Sequence, residues 1–254
     1  MRLAIRTWGQ PAAERQALLL HGITSNAGSW VRTGPALARR GFYVLAPDLR
    51  GHGKSRKADG HYLLDDFVGD LSASLPRHAT LLVGHSFGGV LATLAVRGNV
   101  LVPDVLVLED PVLHFADREL PARLLADDEA NLPRTVEGTL RANPRWLPVD
   151  AEEKVASLAA IDWNHMSQAF SGNAPWDLRS AVVEIGRRLP VLIILPERSF
   201  YVPSDDAAQL AAELGDGSVV KVPGTGHSIH RDDLAAYLGI VERFLGSKLT
   251  PHRS

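Results

Sequence analysis

A serine stands at the centre of Gly84-His85-Ser86-Phe87-Gly88, with one glycine two residues before it and another two after. Glycines so spaced permit a turn too tight for side chains, and the residue at its apex is held out and exposed. A hydroxyl presented in that way is placed to be a nucleophile. The residues before the turn, "TLLV", read as a strand, and those after it, "GGVLATLAVRG", carry a helical pattern. Strand, turn and helix is the context that the G-x-S-x-G pattern needs in order to work as a nucleophile elbow. The helix N-terminus would add partial positive charge beneath the serine. The backbone N–H of Phe87 would face a substrate carbonyl oxygen as it becomes negative. The plainer alternative is a tight turn that uses serine only because it is small.

A serine nucleophile needs a base. His227 lies in the glycine-rich stretch "VPGTGHSIH", which fits an exposed loop, and His230 is the reserve. His85 flanks the serine and is expected to point away from it on the turn. A second oxyanion donor is expected from the loop after the first core strand, where "LLLHGITSN" makes the N–H of Ile23 the candidate. A serine attacks acyl carbons, so this set implies acyl transfer to water. No metal or organic cofactor is called for, and no His and carboxylate spacing suggests one.

The elements that must position these residues are legible as an alternation. "ALLLHG" (17–22), "FYVLAPD" (42–48), "TLLVGHS" (80–86), "VLVLED" (105–110) and "VLIILPE" (191–197) are short runs apolar on both faces, as in a covered parallel sheet. "RLAIRTW" (2–8) alternates like an edge strand, and "SVVKVPG" (218–224) is a weaker last strand. Helical patterns at 29–41, 63–75, 88–98, 204–215 and 232–246 fall between or after them. The reading is a doubly wound α/β fold with a mostly parallel sheet. Residues 112–180 interrupt it with proline-separated helical pieces and no good strand. They are expected to form a helical cap on a core made of 1–111 and 181–254.

Composition narrows the classes. The 254 residues are 45% hydrophobic with a formal net charge of -2, so neither nucleic acid nor a strongly anionic surface is expected as partner. The absence of cysteine excludes disulfides, cysteine nucleophiles and thiolate metal sites. The first residues show no secretory h-region and no apolar run reaches membrane-spanning length, so a cytoplasmic protein without membrane partners is expected. Monomer and homodimer both remain open.

"HGITSNAGSW", "LAPDLRGHGKS", "VGHSFGG" and "GTGHSIH", in that order and over nearly the whole chain, resemble the α/β-hydrolase superfamily. The resemblance implies a triad in the chain order serine, acid, histidine, with Ser86 and His227 at its ends. It gives Asp48 and Arg50, in the second of those stretches, a structural part. The acid departs from the commonest pattern, because Ser199 occupies the position after "VLIILPE" where most members carry Asp. Some branches, esterases and lactonases among them, place the acid after the family's sixth strand, which here ends "VLVLEDPVLH". Glu109 at that strand's end is the first choice, Asp110 the first reserve. Asp205 in the later loop is the second reserve, although with Asp206 it suits a helix dipole better.

The implied activity is hydrolysis of a carboxylic ester or lactone through an acyl-enzyme on Ser86. A carbon–carbon bond hydrolase, an amidase or aminopeptidase, a thioesterase and a ligand-binding receptor of the same fold are the alternatives. Trp163, Met166 and Phe170, on one face of a helix in 163–170, and Trp176 are expected to line the substrate pocket, which favours a small apolar or aromatic substrate. The run "ADDEA" (126–130) could serve a substrate amine or be a solvated face.

Overall fold

The computed structural model describes residues 1–55, 57, 62–117 and 119–248, without the side chains of 168, 170 and 171. Its centre is a seven-stranded sheet in the order β1-β3-β2-β4-β5-β8-β9. The strands are β1 (Ile5–Trp8), β2 (Arg15–Leu20), β3 (Phe42–Pro47), β4 (His78–His85), β5 (Val102–Glu109), β8 (Val191–Pro196) and β9 (Val219–Val222). β1 pairs antiparallel with β3 at one edge, and every other pairing is parallel. Each apolar run of the sequence is one of these strands, displaced by at most a few residues.

The runs are apolar on both faces because both faces are covered. Leu18 and Leu20 of β2, Leu82 of β4 and Leu106 and Leu108 of β5 face one layer. That layer is built on α2 (Leu64–Ser74), α3 (Phe87–Arg97) and α8 (Arg179–Gly186). The alternate residues, Ala17, Leu19, Leu81, Val83, Val105 and Val107, face Leu37 of α1 (Thr33–Ala38) and Tyr237, Val241 and Phe244 of α11 (Leu234–Lys248). Burying each such side chain contributes roughly 1.5–3 kcal/mol. That alternation fixes the strand register, because a slip of one residue would exchange the two layers. The helix expected over 29–41 is shorter: a 3-10 turn at Ala27–Trp30, capped by Asn26, precedes α1.

The stretch between β5 and β8 differs from expectation in one respect. It contains two short strands, β6 (His114–Phe115) and β7 (Trp176–Asp177), which pair antiparallel as a stem. Between them run α4 (Glu119–Asn131), α5 (Val136–Ala142), α6 (Pro148–Ala159) and α7 (Trp163–Ser171). Isolated two-residue runs carry no periodicity, which is why the sequence shows no strand there. α6 is tied to the loops that follow β2: Arg32 donates to Asp150 at 2.8 Å, and Lys154 Nζ donates to the carbonyl and hydroxyl of Thr24, each at 2.8 Å. The remaining helices are α9 (Ser204–Leu214) and α10 (Ile229–Asp232). Among the described residues no helix is long and apolar enough to cross a membrane.

Candidate active site

Ser86 follows β4 directly and precedes α3, at φ 55 and ψ -118. A side-chain-bearing residue at positive φ costs about 1–3 kcal/mol and persists only where its surroundings impose it. Here they do. A Cβ at Gly84 would lie 2.5 Å from the Gly88 carbonyl oxygen, and one at Gly88 would lie 2.3 Å from that of Leu20. The two glycines therefore close the turn on itself and press the start of α3 against the end of β2. Phe87 opens α3, so its N–H belongs to the helix N-terminus beside the serine.

The loop after β2 is packed onto the same turn. A Cβ at Gly22 would meet that of Ser86 at 3.1 Å. Ile23 lines the same cavity as Ser86. Two buried histidines brace the loop. His21 Nδ1 lies 2.8 Å from the Gly22 carbonyl and its Nε2 accepts from Leu49 N–H. His52 Nε2 lies 2.6 Å from the Ile23 carbonyl. Burial lowers the pKa of both rings, which keeps them neutral. Asp48 accepts from the N–H groups of Ala27 and Lys54, and Arg50 Nε donates to Asp70 at 2.7 Å. Their part is structural, as the sequence implies.

The acid is where the structure corrects the expectation. Glu109, the first choice, does not reach His227. It is fully buried, and its two oxygens lie 2.8 Å from His230 Nδ1, while Oε1 also accepts from the His230 backbone N–H. Asp110, the first reserve, holds His227: Oδ2 lies 2.6 Å from its Nδ1. The reason lies in the backbone at the end of β5. Glu109 is the last residue in strand register, paired with His85 and Ile194, whereas Asp110 turns to φ 38. The chain thereby presents consecutive carboxylates to two different histidines. Ser199, at the position where the family commonly carries Asp, donates its hydroxyl to Asp110 Oδ1 at 2.5 Å and accepts from Val202 N–H. Asp205, the other reserve, is exposed in the first turn of α9, away from the cavity lining.

His85 is not turned away from the site. It lines the cavity, its Nε2 lies 2.9 Å from the His227 carbonyl, and its ring centroid is 4.6 Å from that of His227. Burial lowers its pKa well below 6.5, so the neutral ring donates Nε2–H to that carbonyl. His230, the reserve base, is buried against Trp30 with ring centroids 4.4 Å apart.

The cavity over Ser86 holds about 310 Å³. Polar residues outnumber apolar ones in its lining: Ser25, Ser29, Asp128, Lys154, His230, Arg231 and Asp232 take part, and Ile23, Leu132, Trp146 and Tyr201 add an apolar surface of similar extent. Burial beside Arg231 pushes Lys154 down to about 7, burial raises Asp128, and burial takes the Tyr201 hydroxyl up to about 12. Trp163, Met166 and Trp176 are absent from the lining. Met166 is fully buried in the core, Trp176 donates Nε1–H to the Val112 carbonyl beside Phe115, and Trp163 packs under Arg134. The helical stripe that predicted a pocket wall is the face by which α7 holds to the rest of the molecule. The side chain of Phe170 lies outside the described residues.

Lys154, Arg231 and Tyr201 line the site without any part in the sequence reading, and Ser199 had one only as the residue in place of the acid. A signal existed for Ser199, the departure from the family's Asp; lone cations in helices gave none.

A model of the alpha/beta hydrolase family matches residues 17–239. The 2-(acetamidomethylene)succinate hydrolase of Mesorhizobium japonicum is 30% identical over 253 residues, 90% of this chain and 87% of that one. Among solved structures, an esterase from Thermogutta terrifontis superposes with a TM-score of 0.76 at 20% identity, covering 98% of this chain and 94% of the other. The enol-lactonase from Burkholderia xenovorans superposes with a TM-score of 0.72 at 20% identity, covering 96% of both.

Proposed function

Since the chain belongs to the alpha/beta hydrolase family, we infer that it is a serine hydrolase with Ser86, His227 and Asp110 as its triad. The observation that carries this reading is the contact of the His227 ring with a buried acid, in a cavity shared with a serine at positive φ. Asp110 holds the proton on Nδ1 of His227, which leaves Nε2 as the base. Nε2 takes the Ser86 proton as the oxygen attacks an acyl carbon, and the imidazolium that forms faces the Asp110 carboxylate. The N–H groups of Phe87 and Ile23 receive the oxyanion. The imidazolium then protonates the leaving group, and the neutral ring activates water to release the acid.

The bond we assign is a carboxylic ester or lactone, the class named for the esterase and the enol-lactonase of the same fold. Amide cleavage is the second reading, supported by the acetamido compound in the name of the 30% identical relative. The helices between β6 and β7 act in this reading as a cap over Ser86, since Asp128, Leu132, Trp146 and Lys154 bring them to the cavity. The test is intact mass after treatment with a fluorophosphonate, beside Ser86→Ala. One adduct on the native chain and none on the variant is expected, and no adduct on folded native protein would overturn the reading.

A further inference from the structure

Several buried polar atoms in the wall of this cavity have no hydrogen-bond partner. They are Oγ of Ser25, Oγ of Ser29, Nδ1 of His85, Nε2 of His230, and Nε and Nη2 of Arg231. The five residues are 6%, 3%, 5%, 1% and 3% exposed, so bulk water does not serve them. Each such group costs about 1–3 kcal/mol when left unmade. All six belong to residues that line the cavity beside a candidate nucleophile, and a ligand that reached them would supply the missing bonds.

The kind of ligand follows from what the atoms can do. The Arg231 nitrogens only donate, the hydroxyls can take either role, and the two ring nitrogens accept, because Nδ1 of His230 faces the Glu109 carboxylate and Nε2 of His85 faces the His227 carbonyl. Among the described residues, Arg231 has no carboxylate within ion-pair distance, and its guanidinium rests on Trp146, 4.5 Å from the ring centroid. Lys154, the other cation of the cavity, bonds only to the oxygens of Thr24. Of the carboxylates around Arg231, Glu109 is held by His230 and Glu153 by Arg6, while Asp150 keeps one oxygen, Oδ1, without a partner. Asp232 accepts from Trp146 Nε1 and Gly226 N–H, one on each oxygen, and Asp150 is held by Arg32. Burial raises the pKa of Asp128, against the pull of Lys154 and His227. Arg231 thus keeps donors in the cavity wall that none of these carboxylates meets.

We propose that Arg231, Ser25 and Ser29, with Lys154 as a second cation, form a carboxylate-binding subsite, so that the substrate of the Ser86 site carries a carboxylate besides its scissile acyl bond. The proposal rests on the serine-hydrolase reading for its chemistry, though not for the binding. It replaces the apolar or aromatic substrate expected from the tryptophans. Arg is suited to the task because its planar fork meets a carboxylate with two parallel N–H bonds, and a buried site excludes the water that would weaken them. The shifts agree with the assignment: burial, and after it the Arg231 charge, pushes Lys154 down to about 7, burial pushes Arg231 down to about 10, and an anion beside them relieves both.

The test compares three p-nitrophenyl esters with acyl chains of one length: the monoester of glutarate, the neutral pentanoate, and a 5-trimethylammonio-pentanoate. The native enzyme is expected to favour the glutarate ester over the pentanoate by tenfold or more in kcat/KM. Arg231→Gln should lower that ratio at least tenfold through KM, and Lys154→Met by severalfold. Equal rates on glutarate and pentanoate, or a ratio that Arg231→Gln leaves alone, would overturn the subsite. Preference for the trimethylammonio ester would overturn it too and assign Asp128 to a substrate cation. Should Arg231→Gln not fold, Ser29→Ala combined with Lys154→Met replaces it with the same expected loss of ratio. Glutarate itself should raise the Tm of the native chain and of Ser86→Ala, and not that of the Arg231 variant. Failure of fluorophosphonate labelling beside intact glutarate binding would sink the hydrolase reading alone; labelling without glutarate binding or ester preference would sink the subsite alone.

Discussion

Two acid–imidazole pairs leave the end of β5 side by side, and they differ in almost everything except their chemistry. Glu109 and His230 are sealed, with side chains 0% and 1% exposed. Asp110 is equally buried at 2%, but its partner His227 is 40% exposed and stands at the cavity. In the sealed pair one carboxylate holds a ring and its backbone N–H, and Trp30 covers the ring. In the open pair the carboxylate is shared between the ring and Ser199. A carboxylate that fixes a histidine is therefore no sign of catalysis by itself. What separates the pairs is the exposure of the ring, 40% at His227 against 1% at His230.

The comparison breaks if the wrong carboxylate matters. Asp110→Asn should keep the fold and lose about 10^4-fold in kcat, the scale seen when the orienting acid of a serine triad becomes an amide and the ring takes the wrong tautomer. Glu109→Gln should do the reverse. It leaves a buried amide where a carboxylate met two N–H groups, and should lower stability by about 2 kcal/mol in urea unfolding while turnover stays within tenfold. A 10^4-fold loss from Glu109→Gln, with little from Asp110→Asn, would return the acid to the residue that the sequence favours.

The sequence could not decide between these neighbours, and the physical reason is narrow. Alternation along β5 tells which residues face which layer only while the chain stays in strand register. Glu109 is still paired with Ile194, but Asp110 has turned to φ 38, and no periodicity extends past that point. The elbow was legible because its glycines are required by contacts of 2.3 and 2.5 Å that no other residue survives. The strands were legible because both faces are buried, which leaves an unbroken apolar run in the text. The cavity was not. Met166 and Trp176 are the bulky apolar residues one would draw into a pocket, and they hold α7 and the β6–β7 stem instead. Lys154 and Arg231, which do line it, look like any helical surface cation until the fold surrounds them.

Ser199 sharpens the comparison on the open side. Its hydroxyl gives Asp110 a second partner, as the His230 backbone N–H does for Glu109, and it stands where most of the family would place the acid itself. Ser199→Ala should leave the orienting contact but free one carboxylate oxygen, at a loss of about tenfold in kcat, the equivalent of one hydrogen bond to a charged group. The loss should appear with KM nearly unchanged, because Ser199 touches the acid and does not line the cavity. A loss in KM alone would make it part of substrate binding.

The smallest effect concerns the histidines that do no proton transfer. His21, His52 and His85 have pKa values lowered by burial, so the folded chain binds their protons only below the pH at which the unfolded chain does. Unfolding then takes up protons as pH falls through 6.5, and stability must decline in that range, before carboxylates with ordinary pKa values begin to titrate. The midpoint of urea unfolding should fall steadily from pH 7.5 to 5.5. His85→Gln should flatten part of that slope, since its amide N–H can keep the contact with the His227 carbonyl without a titrating group. A slope that His85→Gln leaves intact would mean that the ring beside His227 is not the neutral brace its burial implies, and that it shares the protons of the open pair.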